Sequence, residues 1–171
     1  MDLTVREMRL EEVGVIVDYF HQATPEHLAM LGVDPARLPS RARWVQHYAH
    51  QYSLPLEQRE TFLVIWKLGD EPLGFCTTDK MVLGEQVYMH LHLVEPKLRR
   101  SGYGTACVRE TVGIYFEALR VRRVFCEPNA FNTGPNRTLQ KVGFKYLQTY
   151  MTVPGAINYH QAVTCWVLEK S

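Results

Sequence analysis

The strongest constraint on this chain is one block, residues 86–119, which reads strand, glycine loop, helix. An apolar strand is predicted from Gln86 to Val94. It runs into Lys97-Leu98-Arg99-Arg100-Ser101-Gly102-Tyr103-Gly104-Thr105, and a long amphipathic helix is predicted from Tyr103 to Leu119. Glycines without a Cβ let backbone N–H groups approach a ligand closely. The helix start adds unpaired donors and partial positive charge. Together they make an anion site suited to a pyrophosphate. There is no Gly-Lys-Ser/Thr, so this is not the loop of a nucleoside-triphosphatase. The loop follows several strands, with no ribose-binding carboxylate in a clear βαβ unit, which argues against a dinucleotide fold.

The rest of the chain must build a sheet around that block. Leu3–Met8 reads as a first strand, and Glu11–Phe20 as a helix with Val13, Ile16, Val17 and Phe20 on one stripe. Pro25 opens a short helix, and Ser40 caps a longer one on which Trp44, Tyr48 and Tyr52 recur every fourth residue. That stripe reads mainly as core packing. Thr61–Trp66 and Leu73–Thr78 form a hairpin across Gly69-Asp70-Glu71-Pro72. Arg122–Glu127 is a buried strand, and a helix from Pro135 to Val142 stops at Gly143. Phe144–Val153 and Gln161–Leu168 are two closing strands. This order implies an α/β (α+β) fold with a mixed sheet. The 171 residues fit one domain, 1–171, without repeat or linker.

The net charge is +1, but residues 97–123 carry seven basic and two acidic side chains, which reads as a basic patch around the glycine loop and leaves −4 elsewhere. The balance speaks against a uniformly basic nucleic-acid binder. No apolar run approaches the ~18–20 residues of a membrane span. Met1-Asp2-Leu3-Thr4-Val5-Arg6 has no signal-peptide pattern, so a cytoplasmic location is expected, with no membrane or nucleic-acid partner. Cys76, Cys107, Cys126 and Cys165 show no metal-like clustering and read as reduced, buried thiols. His47 and His50 lie three apart on a predicted helix but have no evident third ligand, so no metal is expected.

The glycine loop resembles the signature of the GNAT superfamily of N-acyltransferases, Arg/Gln-x-x-Gly-x-Gly/Ala, in Arg99-Arg100-Ser101-Gly102-Tyr103-Gly104. Val94-x-Pro96 before it also matches. A second block, an Asn, a helix and then Gly-Phe, matches at Asn132 to Gly143-Phe144. The resemblance implies a mixed, mostly antiparallel sheet of about seven strands flanked by helices, with the fourth and fifth strands splayed apart. It implies acetyl-CoA or another acyl-CoA as co-substrate, with no metal. Its pyrophosphate would be held by Arg99, Arg100, Ser101, Gly102, Tyr103, Gly104 and Thr105. Leu93, Val94 and Asn132 complete the implied cofactor site. Two departures stand out: Arg100 replaces a frequent glycine, and Leu139 stands where many members carry a Tyr that protonates the leaving thiolate.

The implied reaction is direct attack of an amine on the thioester in a ternary complex. An alkylammonium has a pKa near ~10.4, so it must lose a proton before it attacks. The site therefore needs a base, donors for the developing oxyanion and a proton for the thiolate. Strand parity puts Tyr88, His90, His92 and Val94 on one face. Imidazole titrates near ~6.5, so His90 and His92 are base candidates. Glu127, ending the fifth predicted strand, is the third: it would anchor a cationic substrate or accept its proton, or else pair with Arg122 or Arg123 at the surface. Tyr146 and Tyr150 are minor candidates for the proton donor, and Cys126 reads as a buried thiol. The acceptor stays open among a small amine, an aminoglycoside-like compound and a protein N-terminus. Alternatives are a siderophore-type hydroxylamine acyltransferase and a catalytically silent acyl-CoA-binding regulator. The resemblance is also compatible with a homodimer.

Overall fold

The structure, a computed structural model, describes residues 2–94 and 102–171. The strands are β1 (Leu3–Glu7), β2 (Val64–Leu68), β3 (Glu71–Val82), β4 (Gln86–Leu93), β5 (Arg123–Cys126), β6 (Lys145–Thr152) and β7 (Gln161–Glu169). They form one seven-stranded sheet in the order β1-β2-β3-β4-β5-β7-β6. Every pairing is antiparallel except β4 with β5. The helices are α1 (Gly14–His21), α2 (Pro25–Leu31), α3 (Arg41–Ser53), α4 (Tyr103–Ile114) and α5 (Thr133–Val142).

Helices cover both faces of the sheet, and two cores result. α1, α2 and α3 bury Ile16, Val17, Phe20, Leu28, Trp44 and Tyr48 against Leu63, Ile65 and Phe75. α4 and α5 bury Cys107, Val108, Val112 and Leu139 against Val64, Trp66, Val87, Met89 and Val124. Successive residues of β2 thus enter opposite cores. That is why its sequence is a continuous apolar run rather than an alternation.

Local signals account for the helix ends. The Thr24 hydroxyl accepts from the His27 amide, and the Ser40 hydroxyl from the Arg43 amide. Gly143 ends α5 at φ +110°. Three predicted elements change in extent. β2 starts at Val64 rather than Thr61, because the Phe62 amide donates to the Thr78 hydroxyl (2.7 Å) instead of joining a ladder. β3 runs on to Val82 through a register shift between Asp79 and Val82. The helix predicted over 103–119 leaves α geometry at Tyr115 and finishes as a π turn over Tyr115–Leu119. No helix among the described residues is long and apolar enough to cross a membrane.

Candidate active site

β4 is paired to β3 along its length but to β5 only through residues 86–89, opposite 123–126. The cause lies just past β5. Pro128 has no N–H to give a central ladder. The chain beyond it follows β7 instead: Thr164 donates to the Pro128 carbonyl, and Ala130 donates to that of Ala162. Residues 90–93 are therefore left with an edge that β5 does not cover, as the expected splay requires.

A cavity of about 450 Å³ opens at this divergence. His90, His92, Glu127 and Asn132 all line it, so the structure brings the three base candidates together. Trp44 and Tyr48 belong to both the core and the cavity wall.

The two histidines share a strand face but not an environment. His90 Nε2 lies 3.1 Å from Asp79 Oδ1, and both side chains are partly open, 26% and 33% exposed. Segment 154–158 closes over this ring: a Cβ on Gly155 would come within 3.3 Å of His90 Cε1 and 2.7 Å of Asn158 Oδ1. Only glycine allows that approach. His92 instead sits among Tyr19, Phe20 and Phe75, with ring centroids 5.0–5.1 Å away. Its Nδ1 is buried and has no hydrogen-bond partner among the described residues. Burial, with the His90 and His27 charges adding to it, pushes its pKa down to about 3. A ring that resists protonation so strongly is a poor proton acceptor at neutral pH.

Glu127 is only 2% exposed at its side chain. Its Oε1 lies 3.6 Å from Lys80 Nζ, and its Oε2 is buried without a partner among the described residues. Burial raises its pKa, with Lys80 opposing the shift. The expected surface pairing with Arg122 or Arg123 is absent among the described residues: Arg123 lies against Glu85 and Gln86 instead.

At the cofactor end, Leu93 closes β4 and the Val94 amide donates to Leu73 (2.9 Å). Arg99, Arg100 and Ser101 lie outside the described residues. Gly102 caps α4 at φ +85°, a left-handed conformation that glycine adopts without strain. Among the described residues, a Cβ at Gly102 or Gly104 would meet nothing within 4 Å beyond its chain neighbours and its own helix backbone. The amides of Tyr103, Gly104 and Thr105 have no acceptor within the helix they begin. Asn132 stands before α5 without a side-chain cap bond. These features fit a phosphate-bearing ligand at α4 with its arm leading to the β4–β5 divergence.

An acetyltransferase (GNAT) domain family model matches residues 2–145. The chain belongs to the GNAT acetyltransferase family. It is accordingly an acyl-CoA-dependent N-acyltransferase, with acetyl-CoA or another acyl-CoA as co-substrate. No curated protein sequence gives a significant match. Similar solved structures include the aminoglycoside acetyltransferase AAC(6')-Ib in complex with coenzyme A: TM-score 0.73, 19% identity, 99% of this chain and 95% of that one. The ribosomal alpha-N-protein acetyltransferase RimL with coenzyme A gives 0.76 at 15% identity, covering 98% and 93%. The spermidine N-acetyltransferase from Vibrio cholerae with CoA and spermine gives 0.74 at 10% identity, covering 98% and 95%. At these identities the likeness is one of fold.

Within this GNAT chain, several features depart from the sequence reading. Arg120, Arg122 and Arg123 follow the far end of α4 and its π turn and do not lie beside Gly102 and Gly104. Arg123 pairs in register with Gln86 at the start of β4, whereas the loop follows the end of β4. Arg109 donates to the Lys141 carbonyl (3.0 Å). Leu139 is fully buried among core residues, so this position packs the fold and offers no proton. Tyr146 is 53% exposed and bonds Thr149, and neither it nor Tyr150 lines the cavity. The sequence reading missed Asp79, Lys80 and Asn136. Asn136 donates to the carbonyls of Asn129 and Asn132 and accepts from Thr164 and Trp166, which fixes the start of α5 to β7.

Proposed function

We propose that this protein transfers an acetyl group directly from acetyl-CoA to a small amine that carries a second positive charge, with His90 as the base. The observation that carries this reading is one cavity holding both an imidazole–carboxylate pair, His90–Asp79, and a buried, half-satisfied carboxylate, Glu127. The acyl-CoA supplies the activated thioester. Gly102, Tyr103, Gly104 and Thr105 hold its phosphates together with Arg99, Arg100 and Ser101, and Leu93, Val94 and Asn132 border the arm.

His90 takes the proton that the acceptor ammonium must lose. Asp79 fixes the ring and steadies the positive charge it gains. His92 borders the pocket as a neutral ring and leaves the base role to His90. Backbone N–H groups on the uncovered edge of residues 90–93 are the donors for charge on the carbonyl oxygen. Glu127 anchors the acceptor's other cation, since a buried carboxylate with one free oxygen gains most from a positive partner. A cavity of about 450 Å³ favours a small amine over a protein N-terminus. The four cysteines are buried and unpaired, which agrees with a reducing, cytoplasmic setting.

The test is thiol release from acetyl-CoA across a panel of monoamines, diamines, aminoglycosides and N-terminal peptides. Saturable release with small diamines supports the reading. CoA binding without release for any amine would favour the regulator.

A further inference from the structure

One cation already sits at the anchoring carboxylate. Lys80 Nζ lies 3.6 Å from Glu127 Oε1 and 4.5 Å from the centre of the Tyr88 ring. Tyr88 is itself stacked on Phe125, with centroids 4.9 Å apart at 18°. A buried carboxylate beside an aromatic face is a subsite for an alkylammonium.

The backbone shows how Lys80 comes to be there. It occupies the register shift between Asp79 and Val82, with φ +49°. A left-handed lysine costs roughly 1–2 kcal/mol relative to ordinary strand geometry. Bulges of this kind re-aim a side chain. Here the bulge turns a lysine toward Glu127.

The contact is nevertheless loose. A separation of 3.6 Å exceeds a charge-assisted hydrogen bond, and the Lys80 side chain is 47% exposed while that of Glu127 is 2% exposed. The lysine can swing into water; the carboxylate cannot. Glu127 Oε2 meanwhile has no partner among the described residues. Two ammonium groups at one carboxylate repel each other, so an arriving cation and Lys80 compete.

We propose that the Lys80 ammonium is a built-in stand-in for the acceptor's anchoring cation, and that a cationic acceptor reaches Glu127 by displacing it. The proposal rests on the reading of Glu127 as acceptor anchor. It makes Lys80 a specificity-determining residue that tempers the preference of the site for amines with a second charge, since only those must displace it.

Two measurements test it. In the first, Lys80→Met is compared with wild type on diaminobutane and on butylamine, which lacks the second charge. KM for the diamine is expected to fall about fivefold, with that for butylamine moving less than about twofold. An unchanged or raised diamine KM overturns the proposal. The second needs no turnover, so it stands apart from the acyl-transfer reading. Reductive methylation of Lys80 is followed by mass spectrometry with and without a butyltrimethylammonium salt, which cannot be acylated. Faster labelling of Lys80 with the salt, matched without it in Glu127→Gln, supports displacement. A labelling rate that neither the salt nor Glu127→Gln changes overturns it, even if no acceptor is ever found.

Discussion

β4 has two halves that differ in every respect relevant to chemistry. From Gln86 to Met89 it is held on both sides, by β3 and β5, and Val87 and Met89 are buried at 0% and 1% exposure. From His90 to Leu93 it keeps β3 but loses β5, and the cavity opens there. The change follows from Pro128 and from the turn of residues 127–130 toward β7. One strand thus supplies rigidity with its first half and exposed backbone donors with its second. Held structure next to unpaired structure is how a fold positions groups without closing them off.

The largest expected effect on cofactor binding falls on the open side. Gly102→Val places a branched side chain at φ +85° and in the open space proposed to receive the phosphates. CoA affinity should drop about tenfold or more, from strain of roughly 1–2 kcal/mol plus obstruction. Calorimetric titration reads this, and unchanged affinity would break the cradle assignment. Asp79→Asn should lower kcat several-fold, on the order of 1 kcal/mol, if Asp79 steadies a protonated His90 as proposed. Its pH–rate profile should shift, whereas a purely structural loss would leave that profile in place.

His92 gives an effect on stability rather than on turnover. Its folded pKa, about 3, lies below the ordinary value of 6.5. Between those values the unfolded chain binds the proton and the folded one does not. Stability therefore falls as pH drops through this window, by up to about 1.4 kcal/mol per pH unit. His92→Phe should remove that part of the slope, read by urea unfolding at pH 5 and pH 7; parallel behaviour of both proteins would contradict the burial. The smallest effect belongs to the closed half. Arg122→Ser with Arg123→Ser should leave CoA affinity within about twofold, since these residues lie at the opposite end of α4 from its glycine start. A marked loss would mean that they do reach the cofactor.

The same two halves show what the sequence makes legible. Periodicity and caps identify the elements, because Ser40, Thr24 and Gly143 act within a turn of their own position. Strand parity places His90 and His92 on one face, and the end of the fifth predicted strand places Glu127 near them. What separates the two histidines is tertiary. The aromatic cage around His92 comes from α1 and β3, and the carboxylate beside His90 comes through the β3–β4 register. Lys80 meets Glu127 across 47 positions of sequence because of a bulge that no local pattern marks. The arginines mislead for the converse reason: residues 97–123 are contiguous in sequence, yet α4 and its π turn set Arg120 roughly 25 Å from Gly102 at about 1.5 Å per residue.

Acyl transfer at the open half of β4 with His90 as its base is the proposal on which the rest depends. The most direct measurement is amine-dependent thiol release from acetyl-CoA by wild type and His90→Ala, with CoA affinity measured on both. The expected result is a loss of about 100-fold in kcat with CoA affinity within about twofold. Equal turnover with the same pH profile in the two proteins would contradict it.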